Sequence, residues 1–406
     1  MAKKEAPKQE KTHLENTTDK IGEVAVHYGF SVVKTPNITP SDITKAKQFK
    51  EFDHYGDVDE KVALTRWYMD TKLDTEAQPV ALHYKKPFPG SGSKKKSNQE
   101  IYGLEIMGSS RSTSEALLLK TVLAILEELG HKNIYVDINS IGDRESIARF
   151  ERELQNHYRK HAHSLPAKLR QDFKKDLYSI TKSLGAEDHE FLHNAPQPVG
   201  SLSDISRIHF KEVLESLETF EVMYKINPKI ISNKHYASYT VFEIRELKDS
   251  SSVPNENDEL LAYGYRYNHL AKKLGAKREI PSIGATIFAK KNPKVAKKVL
   301  IKNIKKPRFY LVQLGSTAKL KALNIVEMLR KNKIPVYHSI TKDKITGQLT
   351  GAEYMKATHV LIMGQKEAID NTIVVRNINN REQETVSLKE LSDFLKKIDD
   401  KNKPKK

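Results

Sequence analysis

The segment VDINSIGD at residues 136–143 limits the fold more than any other part of the chain. Val136, Ile138 and Ile141 have the spacing of a buried strand and its exit, so the first half of the segment predicts a strand. The polar and glycine residues between them are turn formers, and they lead into a helix that we expect to begin near Arg144. The segment therefore predicts a strand, a turn and a helix.

Further strings follow this segment in a fixed order. They are NAP at 194–196, HF..VLE.L at 209–217, Y.INP at 224–228 and TVFE at 240–243. In this order and at this spacing the chain resembles histidyl-tRNA synthetase, a class II aminoacyl-tRNA synthetase family, from about Asp19 to about Ile398. The resemblance implies an α/β (α+β) fold. Its antiparallel-sheet catalytic core has a helical insertion, and a C-terminal α/β domain of the anticodon-binding type follows.

The expected domain organisation combines this resemblance with local composition. Residues 1–15 have almost no apolar side chains and cannot offset the entropy of ordering. After residue 308, strands and helices alternate as in a parallel-rich sheet, and MGQKE at 363–367 resembles a turn of the anticodon-binding domain. The expected divisions are a disordered tail (1–15), a synthetase-like core (16–289) with a helical insertion (about 144–221), a basic linker (290–307), an anticodon-binding-like domain (308–398) and a basic tail (399–406).

The charge of the chain favours a polyanionic partner. The formal net charge is +17, and eight lysines and one arginine lie between Lys290 and Arg308 without an acidic residue. Clustered cations gain affinity for phosphate backbones by releasing counterions, whereas the alternative is a lysine-rich surface that only maintains solubility. We expect tRNA or other RNA as the partner, and no DNA. The candidate RNA-binding residues are Lys294, Lys297, Lys298, Lys302, Lys305, Lys306 and Arg308.

Other features predict a cytoplasmic protein without a membrane segment. No apolar run approaches the roughly 18 residues of a membrane span, and we expect no signal peptide. The absence of cysteine excludes disulfides and thiolate metal sites. His157, His161 and His163 have no HExxH frame, so we expect polar surface histidines and no metal site. YGF…TP, ending at Pro36, resembles the first class II motif, which implies a homodimer.

The cations that the family uses for activation lack counterparts here. The resemblance puts its second-motif arginine within KKPFPG at 85–90, its third-motif arginine on or beside Lys291, and the arginine of its RGLDYY segment at Ser232. Lysine is a point charge that cannot copy the two-pronged contact of arginine with phosphate or carboxylate. We therefore assign no catalytic residue from the sequence. The remaining phosphate-binding candidates are Lys85, Lys86 and Lys291.

The resemblance also implies a set of substrate-pocket candidates. AYGYRYNHL at 262–270 resembles the AGGRYD.L segment of the family, with Tyr265 in place of a glycine and Asn268 in place of the acid. TRWYMD at 65–70 stands where the family has an amino-acid-binding RPEGT, and we expect a short strand from Lys61 to Met69. The substrate-pocket candidates are Glu105, Tyr236, Arg266 and Tyr267.

Three functions remain open at this stage. The first is a non-catalytic synthetase-like protein that binds tRNA or other RNA, for which the sequence identifies no cofactor. The second is an active, divergent histidine–tRNA ligase, with ATP and Mg²⁺ as its cofactors and its cations supplied from unfamiliar positions. The third is a regulatory subunit of ATP phosphoribosyltransferase. Proteins of that family resemble this chain in the synthetase-like core and typically lack the C-terminal domain.

Overall fold

The computed structural model describes residues 13–90, 98–163, 194–233, 235–249, 253–301 and 308–401, together with residues 165, 167, 170, 171 and 173. None of the helices within these ranges is both long enough and apolar enough to cross a membrane.

An eight-stranded sheet forms the centre of the core. Its strands are β2 (Ser31–Val32), β3 (Val80–Lys86), β4 (Gln99–Met107), β5 (Ile134–Gly142), β6 (Met223–Ile226), β7 (Tyr239–Glu246), β8 (Glu259–Arg266) and β9 (Ser282–Lys290). They lie in the order β2-β3-β4-β9-β8-β7-β5-β6. The two outer pairs are parallel and the inner pairs are antiparallel. The core sheet is therefore antiparallel at its centre, as expected.

Helices pack on both faces of this sheet. The helices of the core are α1 (Lys20–His27), α2 (Pro40–Ala46), α3 (Val58–Asp70), α4 (Ser112–Glu128), α5 (Arg144–His161), α6 (Asp204–Thr219) and α7 (Leu270–Lys273). Helix α4 lies on one face and α3 on the other. The apolar face of α4 is buried with Leu104 and Ile106 of β4 in the main hydrophobic cluster. The Asp143 side chain accepts a hydrogen bond from the backbone N–H of Ser146 and so caps α5. The predicted strand, turn and helix around 136–144 are confirmed.

One prediction for the core was wrong. Residues 61–69 form most of helix α3 rather than a strand. Two physical features explain the error. Asp59 and Glu60 in the first turn stabilise the N-terminus of a helix through its dipole, while polar side chains such as Lys61 are buried with the apolar ones and blur the helical period.

The C-terminal part contains a second sheet, with strands β11 (Phe309–Gln313), β12 (Val336–His338), β13 (His359–Met363), β14 (Thr372–Asn377) and β15 (Gln383–Ser387). The order is β12-β11-β13-β14-β15. The first three strands are parallel, and a hairpin of β14 and β15 adds two antiparallel strands. Its helices are α8 (Ser316–Lys331), α9 (Ile345–Tyr354), α10 (Gln365–Asp370) and α11 (Leu391–Lys401). A short pair of β1 (Thr17–Thr18) and β10 (Val299–Leu300) joins the start of the core to the segment before β11.

Helix α8 attaches the C-terminal part to the core. Its Glu327 accepts a hydrogen bond from the hydroxyl of Tyr28, the residue that directly follows α1. Arg330 forms ion pairs with Glu327 at 3.0 Å and with Glu128 of α4 at 3.0 Å. These contacts join α8 to two helices of the core.

Candidate functional site

Polar and aromatic side chains converge on the sheet face opposite α4. Residues two apart in a strand share a face, so β8 and the residue after it present Tyr263, Tyr265 and Tyr267 there together. Helix α3 and the residue before it add polar side chains from above. We call this group the buried cluster: Asp57, Glu60, Lys61, Tyr84, Lys86, Glu105, Tyr236, Tyr263, Tyr265 and Tyr267. None of these ten residues is more than 7% exposed.

Glu105 of β4 lies at the centre of the buried cluster. Lys61 donates a hydrogen bond to its Oε1 at 2.5 Å, and the Tyr84 hydroxyl donates to the same oxygen at 2.8 Å. The Tyr267 hydroxyl donates to Oε2 at 2.6 Å. A Cβ on the facing Gly284 would lie 1.8 Å from Oε2, so only glycine fits opposite this carboxylate. Side chains of the chain itself therefore occupy both oxygens of Glu105.

A second ion-pair group lies beside it. Asp57 accepts hydrogen bonds from the hydroxyls of Tyr265 at 2.7 Å and Tyr263 at 3.2 Å. The Lys86 amine lies 2.8 Å from a Glu60 oxygen and 3.6 Å from Asp57. The Lys86 amine also donates to the Thr286 hydroxyl at 2.9 Å. Each charged group here has its partners inside the protein.

The ionisation states follow from these contacts. Burial alone would lower the pKa of Lys86, but Tyr263 and the carboxylates of Glu60 and Asp57 raise it above its ordinary value. Burial would raise the pKa of Asp57, but Lys86 and Lys61 lower it. Burial, followed by the Asp57 charge, raises the pKa of Tyr265 well above its usual range. Lys86 is therefore a cation, Asp57 is an anion and Tyr265 keeps its proton.

The buried cluster brings together three of the four substrate-pocket candidates. Glu105, Tyr236 and Tyr267 belong to it, whereas Arg266 points to the other face of β8. There the Arg266 Nε donates to Glu115 Oε1 at 2.6 Å, and Glu115 also contacts His209 at 2.8 Å. Arg266 is 0% exposed. Its guanidinium therefore belongs to a structural ion pair within the helix layer.

The phosphate-binding candidates lie apart from one another. Lys86 is in the buried cluster, but Lys85 points to the opposite face of β3 and pairs with Asp19 at 2.8 Å. Lys291 directly follows β9 and is exposed. The structure does not bring the three lysines into one cation site.

The RNA-binding candidates have different surroundings. Lys294, Lys297 and Lys298 are exposed in the segment before β10, and Arg308 directly precedes β11 and lies 3.8 Å from Asp399. Lys302, Lys305 and Lys306 lie outside the described residues. The exposed members are accessible to a partner.

The histidines of α5 lie next to each other on the helix. The His161 ring nitrogen contacts the backbone oxygen of His157 at 2.9 Å, and the two rings lie 4.5 Å apart. Within the described ranges no group of three or more metal-binding side chains is present.

Sequence reasoning missed Asp57, Lys61 and Tyr84 as members of this site. Lys61 was assigned to a strand, so its approach to Glu105 was not foreseen. The alternation YGYRY at 263–267 was the available signal, because it places three tyrosines on one face of a strand.

Comparison with known proteins agrees with this architecture. The model of the anticodon binding domain matches residues 299–398. A protein named histidine–tRNA ligase from Fervidobacterium nodosum is 26% identical over 392 residues, which are 90% of this chain and 90% of that protein. A histidine–tRNA ligase from Halalkalibacterium halodurans is 28% identical over 346 residues, 82% of this chain and 78% of its own.

Among solved structures, the apo histidyl-tRNA synthetase of S. aureus shares the fold. The TM-score is 0.51 at 21% sequence identity, and the match covers 93% of both chains. The mixed α/β fold with antiparallel-rich sheets is thus that of a class II aminoacyl-tRNA synthetase with a C-terminal anticodon-binding domain. Along most of its length the chain is similar to proteins named histidine–tRNA ligase, at 24–28% sequence identity.

Proposed function

We propose that this chain is a synthetase-like protein that binds tRNA or other RNA and does not activate histidine. The observation that carries the proposal is the closure of Glu105. The family resemblance makes Glu105 the residue that would face the amino group of a substrate. Here Lys61, Tyr84 and Tyr267 fill that position with their own donors. A substrate would have to displace three buried hydrogen bonds, one of them charged.

The charges of the buried cluster support the same proposal. Amino-acid activation brings a carboxylate to the α-phosphate of ATP, so the site needs cations that are free to face both anions. The cluster has two lysines, and each is paired with a carboxylate at 2.8 Å or less. No arginine belongs to the cluster, and Arg266 is used on the other face. The described residues of the site therefore do not fit ATP and Mg²⁺.

RNA binding is proposed from the C-terminal part. An anticodon-binding domain is matched at residues 299–398, and exposed lysines lie immediately before it. The pairing of β1 with β10 fixes part of this segment against the start of the core. The proposed partner is tRNA or another RNA, and the proposed compartment is the cytoplasm.

We further propose a homodimer. The residues that resemble the first class II motif directly follow α1 and include β2, which is an outer strand of the core sheet. Light scattering after size-exclusion chromatography would give twice the chain mass for this state, and a mass of one chain at micromolar concentration would reject it.

Retained ligase activity is the second candidate. The observation in its favour is the similarity to histidine–tRNA ligases over 90% of both chains. The third candidate, a regulatory subunit of ATP phosphoribosyltransferase, is disfavoured by the C-terminal anticodon-binding domain, which such proteins typically lack.

Histidine-dependent exchange of pyrophosphate into ATP separates the first two candidates. Purified full-length protein is assayed beside the S. aureus enzyme, and tRNA binding is followed in the same samples over a range of salt concentrations. We expect no exchange above the histidine-free control, together with tRNA binding that weakens as salt rises. Histidine-dependent exchange would establish ligase activity and reject the proposal, and salt-independent or absent RNA binding would reject its second half.

A further inference from the structure

A cleft far from the buried cluster lies where the C-terminal end of α4 meets the turns before β5 and β6. We call it the α4 cleft. Its volume is about 800 Å³, which lies within the range of small-molecule sites. Glu327 of α8 contributes to one wall, so both the core and the C-terminal part line it.

The floor of the α4 cleft is apolar. Leu123, Ala124, Phe220 and Leu247 line it, and each is no more than 8% exposed. Val222 adds a half-buried aliphatic side chain to the wall. A floor of this kind binds the apolar body of a ligand by removing both surfaces from water.

Lys120 provides a cation at this floor. Its amine lies 4.9 Å from the centre of the Phe220 ring, and no described residue forms a hydrogen bond or ion pair with it. Burial lowers the pKa of Lys120, and the charges of Glu327 and Lys331 act in opposite directions on it. Other lysines with buried side chains have carboxylate partners: Lys61 with Glu105, Lys86 with Glu60, and Lys319 with Asp343.

Three carboxylates line the cleft, those of Glu127, Glu221 and Glu327. Glu221 is exposed and forms no ion pair with Lys120 in the described structure, and the other two are paired with other residues. Glu327 is paired with Arg330 at 3.0 Å, and Glu127 is paired with Lys331 at 2.7 Å. Neither Glu127 nor Glu327 lies within ion-pair distance of Lys120 in the described structure. Lys120 is thus a partly desolvated cation without an ion-pair partner among the described residues, and desolvated cations gain most from a charged hydrogen bond to an incoming anion.

We propose that the α4 cleft binds a small amphipathic organic anion, a medium-chain carboxylate or aryl sulfonate. Its charged group pairs with Lys120 and its apolar body lies on Leu123, Ala124 and Phe220. This site is independent of RNA binding and of any adenylate chemistry. Because Glu327 belongs to α8, an occupant would contact both parts of the chain.

The test uses the full-length protein and two probes, the fluorescent aryl sulfonate 8-anilinonaphthalene-1-sulfonate and octanoate as its competitor. Lys120→Met keeps the length of the side chain over Phe220 but removes its charge, and Lys120→Arg keeps the charge. Lys45→Met, on the exposed surface of α2, is the matched control for loss of one lysine. Val222→Trp narrows the cleft while keeping Lys120, and circular dichroism verifies the fold of each variant.

We expect saturable binding of the sulfonate that octanoate displaces. Lys120→Met should weaken it by about tenfold, the value of one charged hydrogen bond, while Lys120→Arg and Lys45→Met bind like the parent. Val222→Trp should also reduce binding. The proposal is overturned if the parent binds neither probe, or if Lys120→Met and Val222→Trp both bind as the parent does. RNA binding by the same samples is a separate readout, so failure of either proposal is recognised on its own.

Discussion

The buried cluster and the exposed lysines at 294–298 use the same type of cation in opposite surroundings. In the cluster, Lys61 and Lys86 are at most 6% exposed and contact carboxylates directly. Lys294, Lys297 and Lys298 are exposed to solvent. A buried, paired lysine cannot exchange its partner without a large desolvation cost, whereas an exposed one exchanges counterions readily. The net charge of the chain therefore describes its surface and not the site in its core.

The largest expected effect comes from breaking the centre of the buried cluster. Glu105→Ala leaves Lys61 buried without its anion and removes the acceptor of two tyrosines, so we expect a loss of about 3–5 kcal/mol in the free energy of unfolding. Lys50→Met, which breaks the partly exposed pair of Lys50 with Asp59, should cost less than about 1 kcal/mol. Urea denaturation of both variants measures the contrast. Equal losses would contradict the difference between the two settings.

The tyrosine hydroxyls allow a finer comparison inside the cluster. Tyr265→Phe removes a donor 2.7 Å from buried Asp57, and a lost hydrogen bond to a charged group should cost about 2 kcal/mol. Tyr236→Phe is the matched control, because its hydroxyl lies 3.5 Å from that of Tyr265 and should contribute less than about 0.5 kcal/mol. Thermal denaturation of the two variants measures both losses of stability. A larger loss for Tyr236→Phe than for Tyr265→Phe would show that the Tyr265 hydroxyl does not stabilise buried Asp57.

In its exposure to solvent, the contact between α8 and the core lies between the buried cluster and the exposed lysines. Burial alone would raise the pKa of Glu327, but hydrogen bonds from Arg330 and Tyr28 lower it from 4.5 to about 2. A depressed pKa contributes stability above the unfolded value, and this stability is lost as pH falls from about 4.5 towards 2. We expect Glu327→Gln to lose roughly 1–2 kcal/mol less stability than the parent over this pH range, after allowance for partial solvent screening. Parallel stability curves for parent and variant over this pH range would contradict the assignment.

The smallest expected effect is on RNA binding by the exposed lysines. Changing Lys294, Lys297 and Lys298 to glutamine should weaken tRNA binding by about fivefold and lower the slope of log affinity against log salt by about two. Lys45→Gln with Lys47→Gln, on the exposed side of the core, should leave the slope unchanged. Filter binding at several salt concentrations measures both sets. An unchanged slope for the triple variant would remove these lysines from the proposed RNA surface.

Much of the fold follows from local sequence patterns. The strand, turn and helix at 136–144 combine a period-two apolar pattern with turn residues and an Asp143 cap, all of which are local. Helix α3 was not predicted, because buried polar residues such as Lys61 interrupt the helical pattern of apolar residues. A pattern of apolar residues cannot show which polar residues find partners in the interior.

The candidate site was less predictable for the same reason. Glu105 and Lys61 are 44 residues apart, and nothing in their spacing indicates that they meet. The side of the sheet on which Arg266 lies could have been predicted, however. Adjacent residues of a strand point to opposite faces, so Arg266 cannot share the face of Tyr265 and Tyr267. The residues that match a family motif can therefore be recognised before their roles can be assigned.

The most direct test of the central claim is calorimetric titration of histidine into the full-length protein, alone and with a non-hydrolysable ATP analogue. The closed cluster predicts no binding of either ligand up to about 5 mM, since each would have to displace paired buried charges. Stoichiometric binding of histidine at micromolar concentration would contradict it, because the substrate pocket would then be open in this chain.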